Sequence, residues 1–244
     1  MKRPLWIALL GVIAFVAILL ARLPAAWILP ARGAQWSCAS IDGSLWSGGC
    51  SGLTVSNTPF GDLSWDLRPQ RLFSARAAAH LTLAHGPAAA DGDVEAGLGG
   101  RISARNLTAD FPLDPRLVSA LPANLHGRAH CDLARIELRR GVISELQGRI
   151  EVRNLEERSG SATALGSYVA TFPGGSGDPV ATLRDLDGPL ALEGTLRLTP
   201  APGFELEGVI AARRGAPPEL VNSLRFLGSP DATGRRPFSL SGTF

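Results

Sequence analysis

The stretch Leu190-Ala191-Leu192-Glu193-Gly194-Thr195-Leu196-Arg197-Leu198 sets the fold class. Leu190, Leu192, Leu196 and Leu198 fall on one side of a two-residue period; Ala191, Glu193, Thr195 and Arg197 fall on the other. That is the signature of an antiparallel strand with one apolar and one wet face. The same period spreads outward. Leu146, Ile150 and Val152 alternate with Gln147, Arg149, Glu151 and Arg153, and Phe204, Leu206 and Ile210 stand against Glu205 and Glu207. Comparable runs lie near 35–41, 45–55, 63–67, 75–83, 94–98, 101–111, 125–133, 136–138, 168–172 and 238–244. Turn residues separate them at Asp42-Gly43, Asn57-Thr58-Pro59, Asp91-Gly92, Arg140-Gly141, Asp187-Gly188 and Pro202-Gly203.

Helical signals beyond the amino terminus are sparse. Asp114 can cap one short helix, with Pro115 at its first position and Leu117, Val118 and Leu121 inward. A second starts at Pro217-Pro218, buries Leu220, Leu224 and Leu227, and ends at Gly228. Two short helices cannot cover about a dozen one-sided strands. The expected fold is therefore mainly β: a curved antiparallel sheet whose apolar faces close on one another as a half-pipe, barrel or sandwich. The stretch 156–166 reads as a flexible loop or a boundary between two similar β modules, and 173–179 as a second loop.

Ahead of the sheet, residues 5–21 carry no charge and follow Lys2 and Arg3. As a helix this run is roughly 25 Å long. Extended to Leu23, with Arg22 snorkelling, it approaches the ~30 Å of a bilayer core. Pro24 stops it, and Trp6 and Trp27 sit where interfacial aromatics belong. A cleaved signal peptide would be shorter in its apolar part and followed by small residues, whereas Arg22-Leu23-Pro24 follows here. The reading is a cytoplasmic stub at 1–4, a transmembrane helix at 5–23, a juxtamembrane linker at 24–34 and a β domain at 35–244 outside the cytoplasm.

Composition excludes several classes. The net charge is +2 with both signs interspersed, which leaves no basic stripe for nucleic acid. Three cysteines are too few for a disulfide scaffold. Cys38 and Cys50 can pair in an oxidising compartment. A two-residue turn at Asp42-Gly43 would set Cys38 opposite Ser47. A three-residue loop at Gly43-Ser44-Leu45, or a bulge at Gly48-Gly49, would bring the two cysteines into register. Cys131 reads as a buried small hydrophobe.

No residue pattern asks for catalysis. His126 and His130, next to Cys131, have the spacing of a zinc pair on a helix, but their context is a strand, where they stand about 13 Å apart. There is no nucleophile elbow, no phosphate loop and no dinucleotide-binding glycine pattern. Glu156-Glu157 and the pair Asp185 and Asp187 read as solvated turn charges. No catalytic, metal or cofactor site is expected.

Three motifs remain. Gly43-Ser44-Leu45-Trp46-Ser47-Gly48 follows the apolar run. Leu63-Ser64-Trp65-Asp66-Leu67-Arg68-Pro69 comes next, and Leu227-Gly228-Ser229-Pro230-Asp231-Ala232-Thr233-Gly234 leads into Phe238-Ser239-Leu240-Ser241-Gly242. In this order, behind one amino-terminal helix, they resemble protein N of the type II (general) secretion pathway over nearly the whole chain. The three cysteines are not part of that pattern. The resemblance implies a non-enzymatic, single-pass inner-membrane protein of bacteria, mostly periplasmic, that works in assembly or subunit interaction. Its implied partners are other secretion subunits, the secretin and the inner-membrane linker protein among them, with membrane lipid met through the anchor. The motif residues Gly43, Leu45, Trp46, Gly48, Leu63, Trp65, Leu67, Asp231 and Gly234 are then markers of fold or of partner contact. A more distant likeness to AsmA-like proteins implies the alternative, a groove that holds lipid.

Overall fold

The computed structural model describes residues 35–114, 122–159, 162–175, 177–200 and 203–243, together with Gly11, Phe15, Leu19, Ala31, Gly33 and residues 22–27. The strands are β1 (Trp36–Ser37), β2 (Ser40–Gly43), β3 (Ser47–Val55), β4 (Thr58–Leu67), β5 (Arg76–Ala84), β6 (Ala89–Gly97) and β7 (Arg101–Leu113). They continue with β8 (Leu125–Arg139), β9 (Val142–Arg158), β10 (Ala162–Pro173), β11 (Val180–Asp187), β12 (Leu190–Thr199) and β13 (Gly203–Ala212). A helix α1 (Pro218–Ser223) and its 3-10 continuation (Leu224–Leu227) precede β14 (Arg236–Thr243).

From β3 to β14 every strand pairs antiparallel with its chain neighbours, and β1 and β2 both pair with β3. Such a meander is what short turns between one-sided strands produce. Among the described residues β14 has a strand on one side only, so the sheet is open and not a closed barrel. The alternation also defines two ends. The β2–β3, β4–β5, β6–β7 and β8–β9 connections lie at one end of the strands, the β3–β4 and β5–β6 turns at the other. Residues 22–27 join the first of these ends: Leu45 N–H donates to Leu23 O at 2.9 Å, and Pro24 bridges Ser44.

The β12 alternation holds as expected, with Leu190 buried and Glu193, Thr195 and Arg197 exposed. The largest apolar cluster joins Cys131, Leu133, Leu146, Ala170, Phe172 and Ala181 across β8 to β11. A second gathers Ala25, Cys38, Cys50 and Trp65, and a third seats Leu220 and Leu224 against Leu190. The carboxy-terminal helix stops at Gly228 as expected, but its last turn tightens to 3-10. The transmembrane helix expected at 5–23 lies almost entirely outside the described residues, as does the helix expected from Pro115 to Leu121. Among the described residues no helix is long and apolar enough to cross a membrane.

Several local readings change. The stretch 156–166 is mostly strand: Glu156 and Glu157 belong to β9, and Thr163 pairs with Glu157 as the β9–β10 hairpin closes. The register shifts on either side of Gly166 are bulges within β10. Asp91-Gly92 is not a turn but a bulge inside β6, where a Cβ on Gly92 would stand 3.1 Å from Leu107 Cα. Asp185 and Asp187 lie in β11, a strand whose alternation is too weak to read. There Asp185 accepts the Leu192 amide at 2.7 Å and pairs with Arg213.

Candidate functional site

The first two motifs fold into one unit. Trp65 and Gly48 are directly paired across β3 and β4, and the indole Nε1–H donates to Leu45 O at 3.1 Å. A Cβ on Gly48 would stand 2.7 Å from Trp65 Cζ2 and 2.6 Å from Asp42 O, so only glycine lets the ring lie flat on the β3 backbone. Gly43 turns at φ 86°, and Leu67 N–H donates to Trp46 O at 2.5 Å, which ties the β2–β3 loop to the end of β4. Leu63 and Leu67 complete the cluster around Trp65. Seven motif residues thus build a clasp that holds the 22–27 segment on the sheet.

Cys38 and Cys50 are joined by a disulfide in the same cluster, with Cα atoms 5.5 Å apart. The loop is neither of the two geometries expected. Gly43 pairs with Gly48, leaving four residues in the turn, and Ile41 faces Cys50. Cys38 reaches Cys50 because the chain bends at Ala39 between β1 and β2.

The third motif lies at the opposite end of the strand order, just before β14. The Asp231 carboxylate accepts hydrogen bonds from Thr233 N–H (2.8 Å), Thr233 Oγ1 (2.6 Å) and Arg235 N–H (2.9 Å), and Gly234 N–H donates to Asp231 O. These bonds, led by the Thr233 hydroxyl, hold the carboxyl at about 2. The structure therefore separates Asp231 and Gly234 from the other motif residues.

The wet face carries a feature that motif reading missed. Glu137 on β8 is 4% exposed. Arg139 Nε stands 2.8 Å, Arg101 Nε 3.2 Å and Arg135 Nη2 3.3 Å from its carboxylate. The Arg139 hydrogen bond, helped by Arg135 and by the charge of Arg101, outweighs burial and lowers its pKa below the ordinary 4.5. The readable signal was Arg135-x-Glu137-x-Arg139, which at period two stacks three charges on one face; Arg149-x-Glu151-x-Arg153 repeats it on β9. Because folding lowers this pKa, the stability it contributes is complete above the unfolded glutamate value and lost as pH falls through the folded one. The expected result is that Glu137→Gln costs about 1–2 kcal/mol in urea unfolding at neutral pH, and that wild type and variant converge on acidification below the ordinary glutamate range. A difference that stays constant through that range and well below it would show that the carboxylate charge is not what stabilises.

Around this carboxylate Arg76, Leu98, Arg101, Arg105, Arg139 and Arg140 line a groove of about 630 Å³. Arg76 pairs with Glu95 at 3.0 Å, while Arg105 and Arg140 form no ion pair among the described residues. His126 and His130 share β8; His130 Nδ1 is 3.2 Å from Asp110 Oδ2. Among the described residues no three His, Cys, Asp or Glu side chains gather as a metal set. Burial raises the Cys131 thiol above its usual range, which suits packing and not nucleophilic chemistry.

Comparisons agree with this chain-long pattern. The family model described as type II secretion system (T2SS), protein N, matches residues 34–239. A protein of Aeromonas hydrophila called type II secretion system protein N is 27% identical over 260 residues, which covers 99% of each chain. No solved structure matches.

Proposed function

As the chain belongs to the protein N family of the type II secretion system, we propose that it is a non-enzymatic subunit of that apparatus whose β14 edge accepts a strand from another subunit. Residues 5–23 anchor it in the inner membrane with the amino end in the cytoplasm and the sheet in the periplasm, where a Cys38–Cys50 disulfide is at home.

The observation that carries this reading is the edge itself. β14 pairs with β13 from Arg236 to Thr243, and no described strand lies on its other side. Natural edges are guarded by charges, bulges or proline. Here Pro237 blunts one position, but Phe238-Ser239-Leu240-Ser241-Gly242-Thr243 carries no charge, and Leu240 is 55% exposed. Phe226, on the turn that trails α1 beside β14, is almost wholly exposed. Main-chain hydrogen bonds along such an edge give affinity, and alternate side chains give specificity.

A photo-crosslinker at Ser241 in cells is expected to capture the secretin or the linker subunit, and Leu240→Lys is expected to lower release of exported enzymes several-fold. Full secretion by Leu240→Lys, with no crosslink, overturns the edge reading.

The second reading, a lipid-holding groove, draws on the open sheet, which among the described residues has one short helix and a few 3-10 turns beside its strands. Native mass spectrometry of residues 35–244 decides it, since stoichiometric lipid favours the groove and its absence a side-chain-filled face.

A further inference from the structure

We propose that the end of the sheet carrying the β4–β5, β6–β7 and β8–β9 connections rests on an anionic lipid surface, with arginines on the headgroups and Phe73 and Leu98 in the interface. The proposal rests on the anchor reading of residues 5–23.

Three observations converge. The first is topological. Residues 22–27 meet the sheet at the β2–β3 loop, through the Leu45–Leu23 hydrogen bond and the Pro24–Ser44 bridge. In an antiparallel meander the β4–β5, β6–β7 and β8–β9 connections fall at that same end. Whatever residues 5–23 insert into, this end faces.

The second is exposure of large apolar groups where water alone gives no reason for them. Phe73, in the 3-10 turn Pro69–Ser74 between β4 and β5, is 94% exposed, and Leu98, in the β6–β7 turn, is 83% exposed. Leu72 beside Phe73 is half exposed. Aromatic and aliphatic side chains on turn tips are the groups that partition into a headgroup boundary.

The third is charge. Arg101, Arg139 and Arg140 stand at the ends of β7 and β8, and the groove they line opens beside Leu98. Arg101 and Arg139 share the Glu137 carboxylate with Arg135, whose Nε also meets Glu145 at 2.9 Å, so two negative charges answer three positive ones there. Arg71, Arg105 and Arg140 form no ion pair among the described residues. Guanidinium groups in a fixed fork match phosphate oxygens, and each cation near an anionic leaflet adds to the attraction within a Debye length. Clustered arginines framed by exposed apolar tips fit a lipid surface better than an acidic peptide, which has no use for Phe73 and Leu98 exposed on the end turns.

The test uses the full chain reconstituted in vesicles of phosphatidylcholine alone or mixed with phosphatidylglycerol. A nitroxide on Leu98→Cys is read by relaxation with a water-soluble nickel chelate, and one on Ala89→Cys, at the other end of the strands, is the control. The label at position 98 is expected to lose nickel accessibility on phosphatidylglycerol vesicles, and to regain it at high salt, while that at 89 is unchanged. The variant Arg71→Gln/Arg105→Gln/Arg140→Gln removes no ion pair. It is expected to lower the docked-to-undocked ratio on the order of 100-fold. Equal accessibility at 98 on both lipids overturns the proposal. So does a fluorescent polyglutamate peptide that binds wild type but not the triple variant while the label stays exposed, because the arginines then serve an acidic segment. Resistance to carbonate extraction from phosphatidylcholine vesicles reports the anchor separately. A chain that pellets there but ignores phosphatidylglycerol fails in docking alone, and one that is extracted fails in the anchor as well.

Discussion

Replacing Trp65 with alanine is expected to cost about 3–5 kcal/mol in urea unfolding, the range for truncating a buried large aromatic. The indole is 9% exposed and packs with Ala25, Cys50 and Leu63 in one cluster. Its removal leaves a cavity that the β3 backbone cannot refill, since Gly48, directly opposite, has no side chain to move into the space. It also strips the Leu45 carbonyl of its indole donor. Trp65→Phe separates the two effects. It keeps much of the ring and loses the hydrogen bond, for an expected cost of about 1–2 kcal/mol. A clasp predicts a local signature as well. Amide exchange at Leu45 and Leu67, whose N–H groups bond to Leu23 and Trp46, is expected to rise more in Trp65→Ala than exchange in β12. Uniform acceleration along the sheet would mean that Trp65 is a core residue without a clasping role.

Removal of the disulfide ranks next. Cys38 and Cys50 enclose a loop with a sequence separation of 12, and closing a loop of that size is worth about 3 kcal/mol in the chain-entropy account. The double variant Cys38→Ser/Cys50→Ser is expected to lose that amount, and reductant is expected to shift wild type by the same amount while leaving the variant unmoved. The location sharpens the expectation. β1 has two residues and β2 has four, too short to hold an edge by ladder bonds alone, so the covalent tie sets their place beside β3. A double variant as stable as wild type would show that the clasp around Trp65 suffices.

How far the fold was legible follows from what each signal depends on. The β12 and β13 strands were plain because Leu196 and Leu206 face the core against Arg197 and Glu205 with no interruption. β8 read as two runs, 125–133 and 136–138, because a register shift between Leu133 and Arg135 moves the apolar phase from odd to even residues. β11 was missed because Ala181 and Leu183 alternate with Thr182, too mild a contrast to mark a face, although Ala181 is fully buried. Among site residues, the motif set was legible as a list, but not its division. Gly43 to Leu67 form a clasp, whereas Asp231 and Gly234 shape the turn into β14. The Glu137 cluster escaped because Arg101 comes from another strand, and a strand partner leaves no mark in the local pattern.

The amino-acid sequence by itself determined which faces of the plainest strands turn inward, where hairpins close at Asn57, Arg140-Gly141 and Asp187-Gly188, where the carboxy-terminal helix ends at Gly228, and which family the motifs resemble. Each of these depends on period, turn chemistry or residue order, properties carried within a few neighbouring positions. Only the tertiary structure decided that the sheet stays open at β14, that Gly48 exists for Trp65, that Cys38 meets Cys50 through a bend at Ala39, and that three arginines converge on Glu137. These depend on register and bulges between strands, and a shift of one residue leaves the local pattern intact while changing every partner.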